Sequence, residues 1–152
     1  MSRADVEAMV SLAIETGRSI HEDYGPGLFE AVYESILCHR LQSFGLGVER
    51  QKIVPVIVDG LSIRQGFRAD LIVEEALLIE LKSLERLRPL HGKQVLTYLR
   101  LLDLPVGLLM NFGGETLDEG LRRVENRRAS PCPAGQPLPL PLSPSDVRHS
   151  LS

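Results

Sequence analysis

Cysteine is scarce in this sequence. Cys38 and Cys132 are the only two, too few and too far apart for a disulfide framework or a cysteine-based zinc site. Long hydrophobic runs are missing as well. None approaches the ~18 residues at which a segment reads as a membrane span. There is no excess of positive charge: 17 Lys and Arg stand against 20 Asp and Glu, a formal net charge of −3. That balance argues against a protein that coats nucleic acid indiscriminately. No internal repeat is evident. In "MSRADVEAMV", acids stand where a secretory leader would place basic residues and then an apolar stretch. A cytoplasmic location is therefore expected.

What is present fits one domain with a tail. The chain of 152 residues, 43% hydrophobic and 24% charged, can bury a real core as a soluble globular protein. Six of the ten prolines fall in "PCPAGQPLPLPLSPS". Such composition favours extended polyproline-like chain and builds no core. The expected division is a domain over 1–126 and a Pro-rich, disordered tail over 127–152, which either has no partner or docks on a proline-reading domain. The tail takes Arg127, Arg128 and Arg148 from the 17 basic residues and Asp146 from the 20 acidic ones, leaving 14 against 19 in the body. Within that acidic body, residues 82–100 carry Lys82, Arg86, Arg88, Lys93 and Arg100 against Glu85. The strip suits an anionic substrate at one site, and it equally suits a solvated helix face.

Patterning gives the order of elements. Val6, Met9, Val10, Ala13, Ile14 and Ile20 recur at helical spacing over 4–23, and "YGPG" stops that helix. A second helix is expected from about Leu28 to Phe44. "IVPVIV" reads as a strand, Asp59-Gly60 as a hairpin turn, and residues 61–73 as the returning strand with Gly66 a candidate bulge. After Glu74-Glu75 comes "ALLIELK", a third strand. Pro89 opens a helix over 90–104 and Pro105 follows it. "VGLLMNFG" is a wholly apolar strand, as expected inside a sheet covered on both faces. An element of undecided type lies near 117–124. The order α-α-β-β-β-α-β makes the first three strands a meander. The last should run parallel to the third through a right-handed crossover.

Chemistry is concentrated where a buried strand carries charge. Glu80 and Lys82 are two apart, so in a strand they share a face. Burying both is costly unless they are paired, coordinated or in contact with substrate. Asp70 lies on the preceding strand, giving Asp-x9-Glu-x-Lys. Two carboxylates on one face make an oxygen site for a hard cation such as Mg²⁺. A lysine beside them can hold or deprotonate water and offset phosphate charge, which is the equipment of metal-assisted phosphodiester hydrolysis. The competing reading is an edge-strand ion pair. The metal reading also makes a demand on register: a two-residue loop at Glu74-Glu75 would set Asp70 opposite Ile79, facing away from Glu80. Only an odd loop count or a bulge puts Asp70 opposite Glu80.

Other polar groups point the same way, each with a plainer alternative. Glu30 projects at the edge of its helix's apolar stripe, near Tyr33, toward the sheet. It is also an acid in a first turn, which the helix dipole favours. Gln94 and Tyr98, four apart, share a helix face and offer hydrogen bonds to phosphate or base. They also suit an ordinary amphipathic helix. His91, one turn earlier, belongs to the same surface or is simply exposed.

Together these stretches resemble a known family. "GPGLFEAVY" contains Gly27-x-x-Glu30-x-x-Tyr33, the signature of the GxxExxY family. "FRADLIV", "LIELKSLERL", "HGKQVLTYL" and "GLLMNFG" follow in that family's order over roughly residues 4–126. That family in turn resembles the PD-(D/E)XK nuclease superfamily. The resemblance implies a restriction-endonuclease-like α-β-β-β-α-β core, a four-stranded mixed sheet flanked by helices. It implies a nuclease using Mg²⁺ or Mn²⁺, with Asp70, Glu80 and Glu30 as metal ligands and the Leu81 carbonyl as a further one. Lys82 would position the water, and Gln94 and Tyr98 would hold nucleic acid. Ala69 precedes Asp70 where the superfamily's name places a proline, a position with no catalytic role. A non-catalytic module on the same fold that binds nucleic acid or protein, or assembles with its own copies, is the alternative. A small interaction protein that works through its tail is another.

Overall fold

Ser2 starts the first helix. Its hydroxyl accepts the Asp5 N–H while the Asp5 carboxylate accepts the Ser2 N–H, a reciprocal cap. Helix α1 (Arg3–Tyr24) ends at Gly25, whose φ of +65° suits a residue without a Cβ. Helix α2 (Glu30–Ser43) begins two residues later than the pattern predicts, because Phe29, the residue before it, has an extended backbone with ψ 148°. Its first turn carries Glu30.

Strands β1 (Val48–Val58) and β2 (Leu61–Val73) form the expected hairpin, with Asp59 and Gly60 both at positive φ. Their ladder is irregular between Val54 and Val56, opposite the stretch that holds Gly66. Strand β3 (Leu77–Lys82) follows, then helix α3 (Pro89–Leu102) and strand β4 (Val106–Asn111). β3 and β4 are parallel, as the crossover requires, and the other pairs are antiparallel.

The computed structural model describes residues 1–130. Most of the expected tail, residues 131–152, lies outside the described residues. Among the described residues the sheet has five strands in the order β1-β2-β3-β4-β5, not four. The additional strand β5 (Leu121–Glu125) follows a 3₁₀ turn at Asp118–Gly120 and pairs with β4. Five residues with two adjacent arginines give no alternating pattern, which is why the strand is illegible in sequence. Its Arg123 is buried, with a bidentate grip on Glu7 of α1 at 2.5 and 2.9 Å. No described helix is long and apolar enough to cross a membrane.

Alternation in β3 sorts the two cores. Leu77, Ile79 and Leu81 pack with α1 and α2, whereas Leu78 packs with Val95 and Leu99 of α3. Contact on the α3 side is close. A Cβ on Gly107 of β4 would lie 2.8 Å from Val95 and 3.3 Å from Leu99. Glu80 and Lys82 share the even-numbered face of β3 and therefore turn toward α3.

Candidate active site

The β2–β3 link is three residues long. Val73 pairs with Leu77, Ile72 with Leu78 and Leu71 with Ile79. Glu74 and Glu75 take left-handed conformations, φ +51° and +54°, and Ala76 completes the turn. The same register carried one step further sets Asp70 opposite Glu80, so the odd count that the metal reading demands is present.

At that step the side chains take over from the backbone ladder. The Asp70 N–H donates to Glu80 Oε1 at 3.2 Å, and the Leu81 N–H donates to Asp70 Oδ2 at 2.9 Å. Leu81 itself is buried on the opposite face.

Asp70, Glu80 and Lys82 line a cavity of about 170 Å³ together with Glu30, Arg68, Gln94 and Tyr98. Leu109 of β4, paired with Glu80, and Val95 of α3 are also in its wall. Of the site residues expected from the sequence, all except Leu81 meet there, and His91 is with them; of the basic strip over 82–100, only Lys82 lines the cavity. The Arg88 N–H donates to His91 Nδ1 at 3.0 Å, so this histidine also serves the start of α3.

Glu30 belongs to a helix on the other side of the sheet, and a braced loop brings it to the cavity. The Tyr33 hydroxyl donates to the Gly25 carbonyl at 2.5 Å and accepts the Leu28 N–H at 3.2 Å. Its ring is fully buried and stacks on Phe112 with centroids 4.4 Å apart. Ser83, just past β3, donates to the Leu28 carbonyl at 3.1 Å. The tyrosine of the Gly-x-x-Glu-x-x-Tyr motif is thus a strut, and the glutamate is what it holds in place.

Electrostatics follow from this crowding. Glu80 is only 7% exposed. Burial first, and then the neighbouring Asp70 carboxylate, push its pKa up to about 9, with Lys82 opposing. Glu30 is raised by burial and then by Asp70, again against Lys82. Tyr98 is raised by burial and by the same two carboxylates, Glu80 and Asp70.

This oxygen-rich donor set suits a hard divalent cation. Among the described residues, however, no three His, Cys, Asp or Glu side chains stand close enough to hold one ion. Two carboxylates with water and substrate oxygens are a common way of holding Mg²⁺. The Asp70–Glu80 pair meets that pattern, with Glu30 in the same cavity wall.

Several residues of the site were not anticipated. Arg68 lies two positions before Asp70, and that spacing in a strand could have revealed it. Phe67 stacks on Tyr98, centroids 4.1 Å apart and planes 5° from parallel. Gln51 reaches Asp70 from β1, and nothing in its sequence context announces this. A larger cavity of about 640 Å³ lies apart from these groups, between the start of α1 and the β5 end. Its buried cation, Arg123, is already bound to Glu7 and Glu125.

Comparison with known proteins gives one match. A family model described as the PD-(D/E)XK nuclease superfamily matches residues 7–124. No curated protein and no solved structure matches.

Proposed function

The chain belongs to the PD-(D/E)XK nuclease superfamily, and from that premise we propose that it is a metal-dependent nuclease acting on DNA or RNA. The observation that carries this reading is the β2–β3 register, which turns Asp70, Glu80 and Lys82 into one cavity. Asp70 and Glu80 would hold a Mg²⁺ or Mn²⁺ ion, with the Leu81 carbonyl as a further oxygen donor and Glu30, in the same cavity wall, reaching the ion through a bound water. Bound there, the cation would supply a Lewis acid for the phosphate and a lowered pKa for water.

The remaining work falls to this chain's own side chains. Lys82, half-buried beside the carboxylates, orients a water by hydrogen bonding and offsets the charge that builds on the phosphate. Arg68 at the cavity wall places a second cation against the backbone of the nucleic acid. Gln94 hydrogen-bonds phosphate or base. Tyr98, stacked on Phe67, offers a fixed hydroxyl beside the carboxylates. Local cations on an acidic body direct an anionic polymer to one place.

A binding module without catalysis is the second reading. It is favoured by the absence of three convergent ligands among the described residues. One experiment separates the two: single- and double-stranded DNA and RNA, end-labelled, incubated with the full chain across a Mg²⁺ and Mn²⁺ titration. Metal-dependent cleavage that Lys82→Ala abolishes is the expected result. Retention of nucleic acid with no cleavage at any metal concentration would establish the binding module instead.

A further inference from the structure

Gln51 has an unusual backbone. It is a strand residue of β1 with φ +48°, a left-handed conformation that costs any residue with a Cβ. The β1–β2 ladder pairs Arg50 with Leu71 and Lys52 with Ala69, and it omits the rung between them, where Gln51 would face Asp70. Strain held in the middle of a ladder requires compensation from its surroundings.

The side chain provides it. Gln51 Nε2 donates to Asp70 Oδ1 at 3.2 Å. The same amide donates to Glu34 Oε1. Glu34 is buried, and its other oxygen accepts from Arg50 at 2.9 Å, while Arg50 also donates to Ser35 at 2.9 Å. A chain of contacts therefore runs from α2 through Glu34 to Gln51 and ends on Asp70. Arg50 alone already ties β1 to α2, so the strained Gln51 is redundant as a brace. What it adds is the contact with Asp70, whose other oxygen is held by the Leu81 N–H. With one donor on each oxygen, the plane of the carboxylate is fixed, and its remaining lone pairs are left for the cavity.

The geometry points to Gln51 as a positioning residue: held by Glu34, it fixes the Asp70 carboxylate in the orientation that binds a divalent cation. This rests on the metal-site reading above. Groups that orient metal ligands in this way change metal affinity by about 10- to 100-fold when removed.

Two substitutions separate positioning from mere support. Gln51→Gly removes the amide and also the Cβ that makes φ +48° costly. Gln51→Met removes the amide and keeps the strain. Mn²⁺ affinity of the full chain is measured by calorimetry, and stability by melting in EDTA. Both variants unpair the buried Glu34 Oε1, so the expected result is a loss of affinity of about tenfold or more in both, with Gln51→Gly, relieved of strain, melting above Gln51→Met. Affinity that tracks melting temperature, or a Gln51→Gly variant that binds Mn²⁺ as the parent does, would overturn the inference and leave the metal site standing. A parent that binds no Mn²⁺ would overturn the metal-site reading and this inference with it, and the parent's own titration distinguishes that failure from the other.

Discussion

Replacing Glu80 by glutamine should make the metal-free protein more stable, and increasingly so as pH rises. In the folded chain this carboxyl is pushed up to about 9 from an ordinary 4.5, by burial and then by Asp70. A raised carboxyl pKa means that the native state keeps a proton the unfolded state has released. Stability is then full below 4.5 and falls as pH rises through the window from 4.5 to about 9. At about 1.4 kcal/mol per unit, the loss reaches about 3 kcal/mol by pH 7 and approaches about 6 kcal/mol as a ceiling near pH 9. The substituted amide would not titrate, and its oxygen can still accept the Asp70 N–H that Glu80 accepts at 3.2 Å. Groups away from the cavity change both proteins alike, so the difference between the two reports Glu80 together with the neighbours it acts on, such as Tyr98. Urea melts of parent and Glu80→Gln in EDTA, from pH 5 to 9, measure it. Two stability curves that stay parallel over that range would refute the reasoning, because they would show Glu80 ionised and solvated at neutral pH.

If the proposed metal site is right, a cation would have to displace the same proton, so the rise in melting temperature given by millimolar Mn²⁺ should be larger at pH 8 than at pH 6, and a pH-independent shift would contradict this. At 100 times the dissociation constant the gain is about 2.7 kcal/mol. Lys82→Ala should fold close to the parent and keep Mn²⁺ binding while losing cleavage, whereas Asp70→Ala should lose both, as calorimetry and an oligonucleotide assay would show; an unfolded Lys82→Ala would return the lysine to a structural role. Tyr33→Phe removes the partner of the Gly25 carbonyl and the Leu28 N–H and should cost about 1–3 kcal/mol in urea melts, with cleavage falling as Glu30 loses its brace; full stability would show that the strut is dispensable.

Most of the architecture could be read from patterning, because its signals are local. Pro89 and Pro105 bracket α3, Gly25 ends α1, and Asp59-Gly60 turns the hairpin. β5 could not be read, since its pairing depends on a 3₁₀ turn and on Arg123 finding Glu7 across the molecule. For the site, sequence supplied the residue types and a condition on register, and could not say whether the condition was met. That depended on Ala76 joining Glu74 and Glu75 in the link. Gln51 was invisible for the same kind of reason. Its left-handed backbone and its two contacts made across elements leave no local signal.

Where β2 and β3 reach the cavity, carboxylates stand in for the rungs of the sheet. The amide protons of Asp70 and Leu81 are held by the oxygens that would also face an ion. Loading the site would therefore redistribute electron density on the acceptors that keep these two strands closed. The exchange of these two protons with solvent would register occupancy directly, without any substrate.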